Sequence, residues 1–431
     1  MSARGRPDEP PTVRTGEQAI GTGNQSSWWV LGGTAITGIS TYALLVAAAR
    51  AVGPEAYGDF GVYWAAVVIV GLGLFLPMEQ ETTRRGAGIT AAGGGLGRLW
   101  QRSMVVAAMV AVGTAVATVV LWPWIGALVN DQVGILIAFS IACLGYCLQF
   151  PCRGLLAATR QFRGYATVVV VDSVLRALVA ITLLTVREVS VVPYTLAVGG
   201  AALTAGLVGV LLVRRSGYVR GGGRVDHFGR DSARLMVAAS SMQTLLNSGT
   251  LVAKLAAGPG QAALAGRVLA VMTIARLPVL LFQSLQPVYV TRLATRWHHQ
   301  DRPGVRRLLV ALGVATGCLA ITLVIGAAVI GPWATSLFFG PRYELDRGSM
   351  VLVALGVGVY LVASVATDSS IALGLHRVII SAWAAGLLVG AVVVLIISSL
   401  LAKATLPLIV GASLAGIVLI TALVVRTGRK T

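Results

Sequence analysis

The chain has 431 residues, of which 56% are hydrophobic and 12% charged, and its formal net charge is +18; the mean hydropathy is +0.83. A soluble chain would carry about a quarter charged residues, so a water-soluble globular fold is excluded. Apolar runs of about 20 residues, each able to cross a hydrocarbon core as a helix, recur along the chain. The ten-residue alternation of a membrane barrel is absent, so an all-α polytopic membrane protein is predicted.

Residues 1–26 are polar and rich in Pro, Gly and Arg, and read as a disordered cytoplasmic tail. Twelve spans follow, at 27–49, 58–82, 103–128, 133–158, 164–186, 191–213, 231–257, 262–293, 305–330, 348–373, 377–401 and 405–425. Ala47–Ala49 forms a nominal A-x-A, but the run before it is too long for a signal peptide, so span one is read as retained. Residues 27–213 make a predicted N-terminal six-helix lobe and 231–425 a C-terminal one. The Arg- and Gly-rich segment 214–230 links them on the cytoplasmic side, and 426–431 is a second cytoplasmic tail.

The loops set the orientation. Even-numbered junctions carry Arg84, Arg85, Arg98 and Arg102; then Arg153, Arg160 and Arg163; then Arg214, Arg215, Arg220, Arg224, Arg230 and Arg234; then Arg292, Arg296, Arg302, Arg306 and Arg307; then Arg377. With the tails, 25 cations fall on this side, against five (Arg50, Arg187, Arg342, Arg347 and Lys403) on the other. Cytoplasmic loops are enriched in Lys and Arg, so both termini are predicted inside. The same asymmetry accounts for most of the +18 without a nucleic-acid partner. Arginine outnumbers lysine 31 to 3, which with heavy Ala, Gly and Val use suggests a GC-rich bacterial genome and thus a bacterial plasma membrane.

Polar residues inside a span are costly unless they face protein or a hydrated cavity. On span seven, Ser240, Gln243, Asn247, Thr250 and Lys254 recur at steps of three and four, within an arc of about 80°. Thr34, Thr37 and Thr41 share a face of span one, and Thr273, Arg276 and Gln283 one of span eight. Hydroxyl residues also serve as small packing groups between helices, so the span-one stripe is open to both readings. Arg276 lies roughly 20 Å along its helix at 1.5 Å per residue, too deep to snorkel. Arg267 and Lys254 lie nearer the outer surface, where snorkelling and function are both open. Asp172 and Arg176 stand four apart on span five, as a structural pair or a functional one. Asp368, Glu79 and Glu81, near cytoplasmic helix ends, are candidates for gating or cation coupling.

The two halves show weak similarity. Arg50-Ala-Val-Gly53-Pro54 after span one resembles Lys254-Leu-Ala-Ala-Gly258-Pro259 after span seven. Both halves cross the membrane in the same sense, so the repeat is parallel, and such repeats place a substrate site between them. Enzyme signatures are absent: no Walker A, HExxH, GxSxG or kinase set occurs. Glu55, Asp59 and Asp131 on the outer side look isolated. Cys143, Cys147, Cys152 and Cys318 lack CxxC spacing and read as small packing residues. No cofactor or metal is expected. An interior with more cations than anions suits an anionic ligand, and hydroxyl and amide stripes suit sugars; together they indicate a phosphate-linked glycan.

The stretch Leu45-Val-Ala-Ala-Ala-Arg50-Ala-Val-Gly53-Pro54-Glu55-Ala-Tyr57-Gly58-Asp59-Phe60 resembles the "LA-R-LGPEEYG-F" signature joining the first two helices of polysaccharide and O-antigen flippases. These belong to the multidrug/oligosaccharidyl-lipid/polysaccharide (MOP) exporter superfamily. A weaker likeness runs from Ala253-Lys254-Leu255 through Gly266-Arg267 to Gln286-Pro287. The resemblance implies two six-helix lobes around a cationic cavity. It implies alternating access that moves a polyprenyl-phosphate-linked sugar to the outer leaflet for cell-envelope polysaccharide synthesis, driven by a coupling cation or membrane potential. Carried over by position, Arg276 and Lys254 contact the phosphate, and Gln243 and Asn247 the sugar; Arg267 and Arg176 are further substrate-binding candidates. A partner glycosyltransferase and the surrounding lipids complete the expected partners. Two departures stand out: span one has no interior Arg or Lys, unlike lipid II flippases, and the end of span two is acidic at Pro77-Met-Glu79-Gln-Glu81. A cation-coupled drug or metabolite antiporter of the same superfamily is the alternative.

Overall fold

The structure, a computed structural model, describes residues 18–130, 132–217, 221–222, 227–258, 260–283 and 285–428; the side chains of 18–31, 34, 280, 281, 283 and 287 lie outside that description. Thr34 and Gln283 are therefore expectations on side chains outside the described residues. So are residues 1–17 of the tail and much of the linker.

Twelve membrane segments follow one another: α1 (18–52), α2 (54–91), α3 (Gly97–Leu128), α4 (Val133–Ala158), α5 (Phe162–Thr185), α6 (Val191–Arg215), α7 (Phe228–Leu255), α8 (263–298, in pieces), α9 (Arg302–Phe339), α10 (Arg347–Ala372), α11 (His376–Ile396) and α12 (Leu400–Gly428). Hereafter "outer" means the face that the arginine asymmetry places outside. Between α1 and α2 there is no loop: the direction changes at Gly53 alone, with φ 77° and ψ 167°. An L side chain rarely adopts that backbone, and Pro54 opens the next helix, where a missing N–H costs nothing. Gly71–Phe75 of α2 is a π-helical stretch.

Among the described residues nine helical segments are long and apolar enough to cross a membrane, one of them (Ala35–Ala91) holding the α1–α2 turn. α7 and α8 are not in that set. In α7 the polar stripe dilutes the apolar run; α8 is broken. The single span read at 262–293 is in fact three pieces, Ala263–Ala275, Leu277–Gln283 and Gln286–His298. Pro278 and Pro287 are the cause, since each lacks an N–H and its ring collides with the carbonyl four residues back. The shared face inferred for Arg276 and Gln283 on one continuous helix is thereby corrected.

Two hydrophobic cores form. One joins α1 to α6 around Tyr63, Phe75, Phe150 and Tyr194. The other joins α7 to α12 around Met272, Tyr360, Trp383 and Leu408. The helices pair in the same order in both: α1 with α5, α3 with α4, α4 with α6 and α5 with α6 match α7 with α11, α9 with α10, α10 with α12 and α11 with α12. This parallel repeat is far clearer in the packing than in the sequence. Glycines let paired helices touch backbone to backbone. A Cβ on Gly145 would come within 2.5 Å of the Ala202 carbonyl carbon, and one on Gly386 within 2.5 Å of the Gly411 carbonyl oxygen. α3 and α9, equivalent in the two lobes, present the most outward apolar surface, including Val112, Val116, Ile321 and Ile325. In water such faces would be untenable; here they are the lipid contact.

Candidate functional site: the junction of the two lobes

The lobes meet along α2, which packs on α7 and on the first piece of α8, with Tyr42 of α1 reaching α8 as well. The α7 stripe is central to this seam. A Cβ on Gly61 of α2 would lie 2.8 Å from Thr250, and one on Gly73 would lie 2.8 Å from Ser240. Thr250 is 1% exposed. Ser240 and Thr250 thus pack on α2 glycines, while Ser240 and Gln243 retain partial exposure. Near the outer end Gly58 packs on Ala265 and Gly266, and a Cβ on Gly266 would collide with the Pro54 carbonyl.

Each interior charge has a definite environment. Lys254 Nζ lies 2.6 Å from Asp59 Oδ1, with side-chain exposures of 10% and 2%. Asn130 Nδ2 donates to the other carboxylate oxygen at 2.7 Å. Asp59, which looked isolated in the sequence, is instead a buried acid that pins α7 to α2 across the lobes. More contacts close this outer end: Arg50 donates to the carbonyls of Phe338 (2.7 Å) and Leu337 (2.5 Å), and the Tyr343 hydroxyl to that of Ala49 at 2.6 Å. Arg267 Nε donates to the Arg342 carbonyl at 3.1 Å at the same surface.

Inside the N-terminal lobe, Arg176 Nη1 stands 3.5 Å from Asp172. Its Nη2 donates to Thr41 Oγ1 at 2.9 Å, and its guanidinium lies over Trp64. Thr37 Oγ1 and Ser173 Oγ share a hydrogen bond of 3.2 Å. Thr37, Thr41 and Asp172 each keep some accessible surface. The span-one stripe thus turns to α5, within one lobe.

Arg276 is held differently. It ends the first piece of α8, and the break there turns it towards α7. Nη1 donates to Asn247 Oδ1 at 3.2 Å and Nη2 to the Leu246 carbonyl at 2.5 Å. Among the described residues Arg276 Nε, Tyr360 Oη and Gln243 Oε1 make no hydrogen bond. No carboxylate pairs with it there, whereas Lys254, Arg176 and Arg153 each have one. The Tyr42 hydroxyl of α1 donates to the Thr273 carbonyl at 2.6 Å, bringing the other lobe to the same place.

Asp368 of α10 is the converse: among the described residues no cation pairs with its carboxylate. Gln286 Nε2 donates to one oxygen at 2.6 Å and Tyr289 Oη to the other at 2.5 Å. Both donors sit on the last piece of α8, so the break in that helix organises this site as well as that of Arg276.

Two clusters lie towards the inner face. Glu79 receives Arg153 at 3.0 Å and Tyr165 Oη at 3.1 Å, and Arg153 packs over the rings of Phe150 and Tyr165. Arg153 was counted with the loop cations; it lies inside α4 with 15% side-chain exposure. The acidic end of α2 supplies its partner, which the sequence offered at Glu79 without saying which helix it faced. Glu81 pairs with Arg84 (2.7 Å) and Arg85, and Arg85 reaches Asp231 of α7 at 2.7 Å, a second lobe-crossing bridge.

No protein-family model matches the chain. In sequence it is 25% identical over 354 residues to "Uncharacterized protein Rv3630" of Mycobacterium tuberculosis, covering 81% of this chain and 80% of the relative. A second protein of that organism, "Uncharacterized protein Rv1510", is 25% identical over 399 residues, covering 88% and 87%. Among solved structures, an inward-facing multidrug resistance MATE family transporter of the MOP superfamily superposes with a TM-score of 0.70 at 12% identity, covering 91% of this chain and 94% of that one. An outward-facing MATE transporter gives 0.65 at 14% identity, covering 94% and 96%. The chain therefore has the two-lobed, all-α fold of MATE transporters, a multi-pass membrane architecture.

Proposed function

We propose that the protein is a transporter that moves a polyprenyl-phosphate-linked sugar or oligosaccharide from the inner to the outer leaflet by alternating access of its two lobes. The observation that carries this reading is the uncompensated charge of Arg276 at the lobe junction. A half-buried cation with only neutral partners leaves charge for an anion to neutralise, and guanidinium–phosphate bonds are strong and directional. Gln243, Asn247, Tyr360 and the Tyr42 hydroxyl of α1 provide nearby groups suited to sugar. Lys254, engaged by Asp59, and Arg176, engaged by Asp172, act in this scheme as lobe and helix fasteners rather than as first contacts of the phosphate.

A second reading rests on Asp368, an acid held only by neutral donors. Such a group exchanges a proton or cation readily, as a cation-coupled drug or metabolite antiporter requires. The same group would couple a flippase to an ion gradient, with Glu79, Glu81 and Asp172 held in ion pairs and serving structure or gating. Neither reading assigns the chain a chemical reaction. The lipid-linked sugar would come from a glycosyltransferase on the inner face of a bacterial plasma membrane, with both termini of the transporter on that side.

The test is a proteoliposome assay with a fluorescent polyprenyl-phosphate sugar and an impermeant quencher that reads leaflet exposure. Wild type equilibrates the probe, Arg276→Gln does not, and Asp368→Asn loses the response to an imposed ion gradient. Normal flipping by Arg276→Gln refutes the phosphate site. Export of organic cations with no lipid movement assigns the antiporter instead.

A further inference from the structure

Away from the lobe junction, the inner end of the C-terminal lobe carries a groove of ≈ 600 Å³ between the start of α9 and the end of α12. Its lining combines Arg302, Arg306 and Arg307 with Thr427, Pro303, Val310 and Ala311. Two further groups complete the surroundings. The guanidinium groups of Arg302 and Arg426 both lie over the ring of Trp297, at 4.0 and 5.4 Å from its centroid, and Arg302 Nη1 donates to the Arg426 carbonyl at 3.1 Å. The one acid beside the groove, Asp301, is occupied as a helix cap, accepting from Gly304 N at 2.9 Å. Among the described residues none of the four arginines has a carboxylate partner.

We propose that this groove binds an acidic phospholipid of the inner leaflet, with its phosphate on Arg302, Arg306 and Arg307 and an acyl chain along Val310 and Ala311. Three observations distinguish it from an ordinary excess of loop arginine. Arg302, Arg306 and Arg307 gather on one concave place at the start of α9 that Thr427 of α12 closes. Stacking on Trp297 and the bond to the α12 carbonyl hold Arg302 and Arg426 in fixed positions, so less side-chain freedom is lost on binding. The polar rim also runs straight into apolar surface: Val310, one helical turn beyond Arg306, is 59% exposed and faces hydrocarbon. Basic pockets between membrane helices on the cytoplasmic side suit acidic headgroups for these reasons. The site would tie the inner ends of α9 and α12 together through lipid.

The experiment uses the delipidated full-length protein, titrated with dioctanoyl phosphatidylglycerol or dioctanoyl phosphatidylcholine and read by native mass spectrometry. Wild type should retain the acidic lipid in preference to the zwitterionic one. At about fivefold per arginine, Arg306→Gln/Arg307→Gln should weaken that binding about 25-fold. A double variant of equal charge change on another inner segment, Arg214→Gln/Arg215→Gln, should leave it within about twofold. Equal retention of both lipids by wild type overturns the proposal, as does equal loss in the two double variants, which would indicate diffuse surface charge. Displacement by inorganic phosphate at the lipid's own concentration overturns it too, since the site would then take the free anion.

Discussion

Replacing Lys254 with Met tests whether the Asp59–Lys254 pair holds the outer ends of the lobes together. The pair is short, 2.6 Å, and almost wholly buried. Without the cation, Asp59 keeps only Asn130 at 2.7 Å and Gln132 at 3.4 Å as donors. Removing one member of a buried ion pair costs ~3 kcal/mol at the lower end of measured values. The contact exists only when α2 and α7 meet at their outer ends, so this cost falls on the outer-closed arrangement. A shift of ~3 kcal/mol is about 150-fold in an equilibrium constant, enough to raise an outer-open population of ~1% to more than half. Spin labels at Val189→Cys and Glu344→Cys, on exposed outer turns of opposite lobes, would report the separation by double electron–electron resonance. Cys318→Ser removes the exposed native thiol, while Cys143, Cys147 and Cys152 are buried. The Lys254→Met distance distribution should gain a long component. Asp59→Asn/Lys254→Met should recover most of the short one, because no buried charge is then left unpaired. An unchanged distribution in folded Lys254→Met protein, or a double variant as open as the single, would refute the reasoning.

Other consequences are equally direct. Arg153→Met leaves Glu79 buried beside Tyr165 alone and should cost ~3 kcal/mol, read as a fall of several degrees in apparent Tm by thermal unfolding in detergent; Glu79→Gln/Arg153→Met should restore most of it. Gly266→Val drives a side chain into the Pro54 carbonyl and should cost ~1–3 kcal/mol by overpacking. Gly313→Ala, with nothing within 4 Å of its Cβ position, should leave the melting curve unchanged or raise it. Thr367→Val strips the acceptor from Trp383 Nε1, a bond of 2.9 Å between two buried groups, and should destabilise by ~1–3 kcal/mol, with a change in tryptophan fluorescence.

The sequence disclosed the elements well and their partners poorly. Runs of apolar residues and the placement of arginine mark helices because bilayer thickness and lipid polarity constrain each segment separately. Which polar residue meets which is a tertiary fact. Asp59 and Lys254 are 195 positions apart in the chain, and their bond follows from the Gly61 and Gly73 face of α2 packing on α7. Arg153 stands close to a run of loop arginines, so charge position alone groups it with them; only the facing Glu79 shows that it belongs to the interior. The α8 break was legible, since Pro278 and Pro287 stand within the apolar run. Its consequence, two separately oriented polar sites at Arg276 and Asp368, required the fold.

Those two residues also break the symmetry of an otherwise repeated architecture. Apart from Asp59, which pairs with Lys254 across the lobes, interior charges of the N-terminal lobe balance locally, Arg176 with Asp172 and Arg153 with Glu79. In the C-terminal lobe a cation and an anion stand apart, each held by neutral groups among the described residues. Local balance stabilises a helix packing without reference to what passes through it. Separated charges cost desolvation energy that packing does not return, and the expectation is that they are retained for a ligand or an ion. The equivalent helices of the two lobes pair alike, so the difference lies in the break of α8 and in the side chains that it and α10 carry. On the proposed function, substrate charge and coupling charge are therefore both read by the C-terminal lobe.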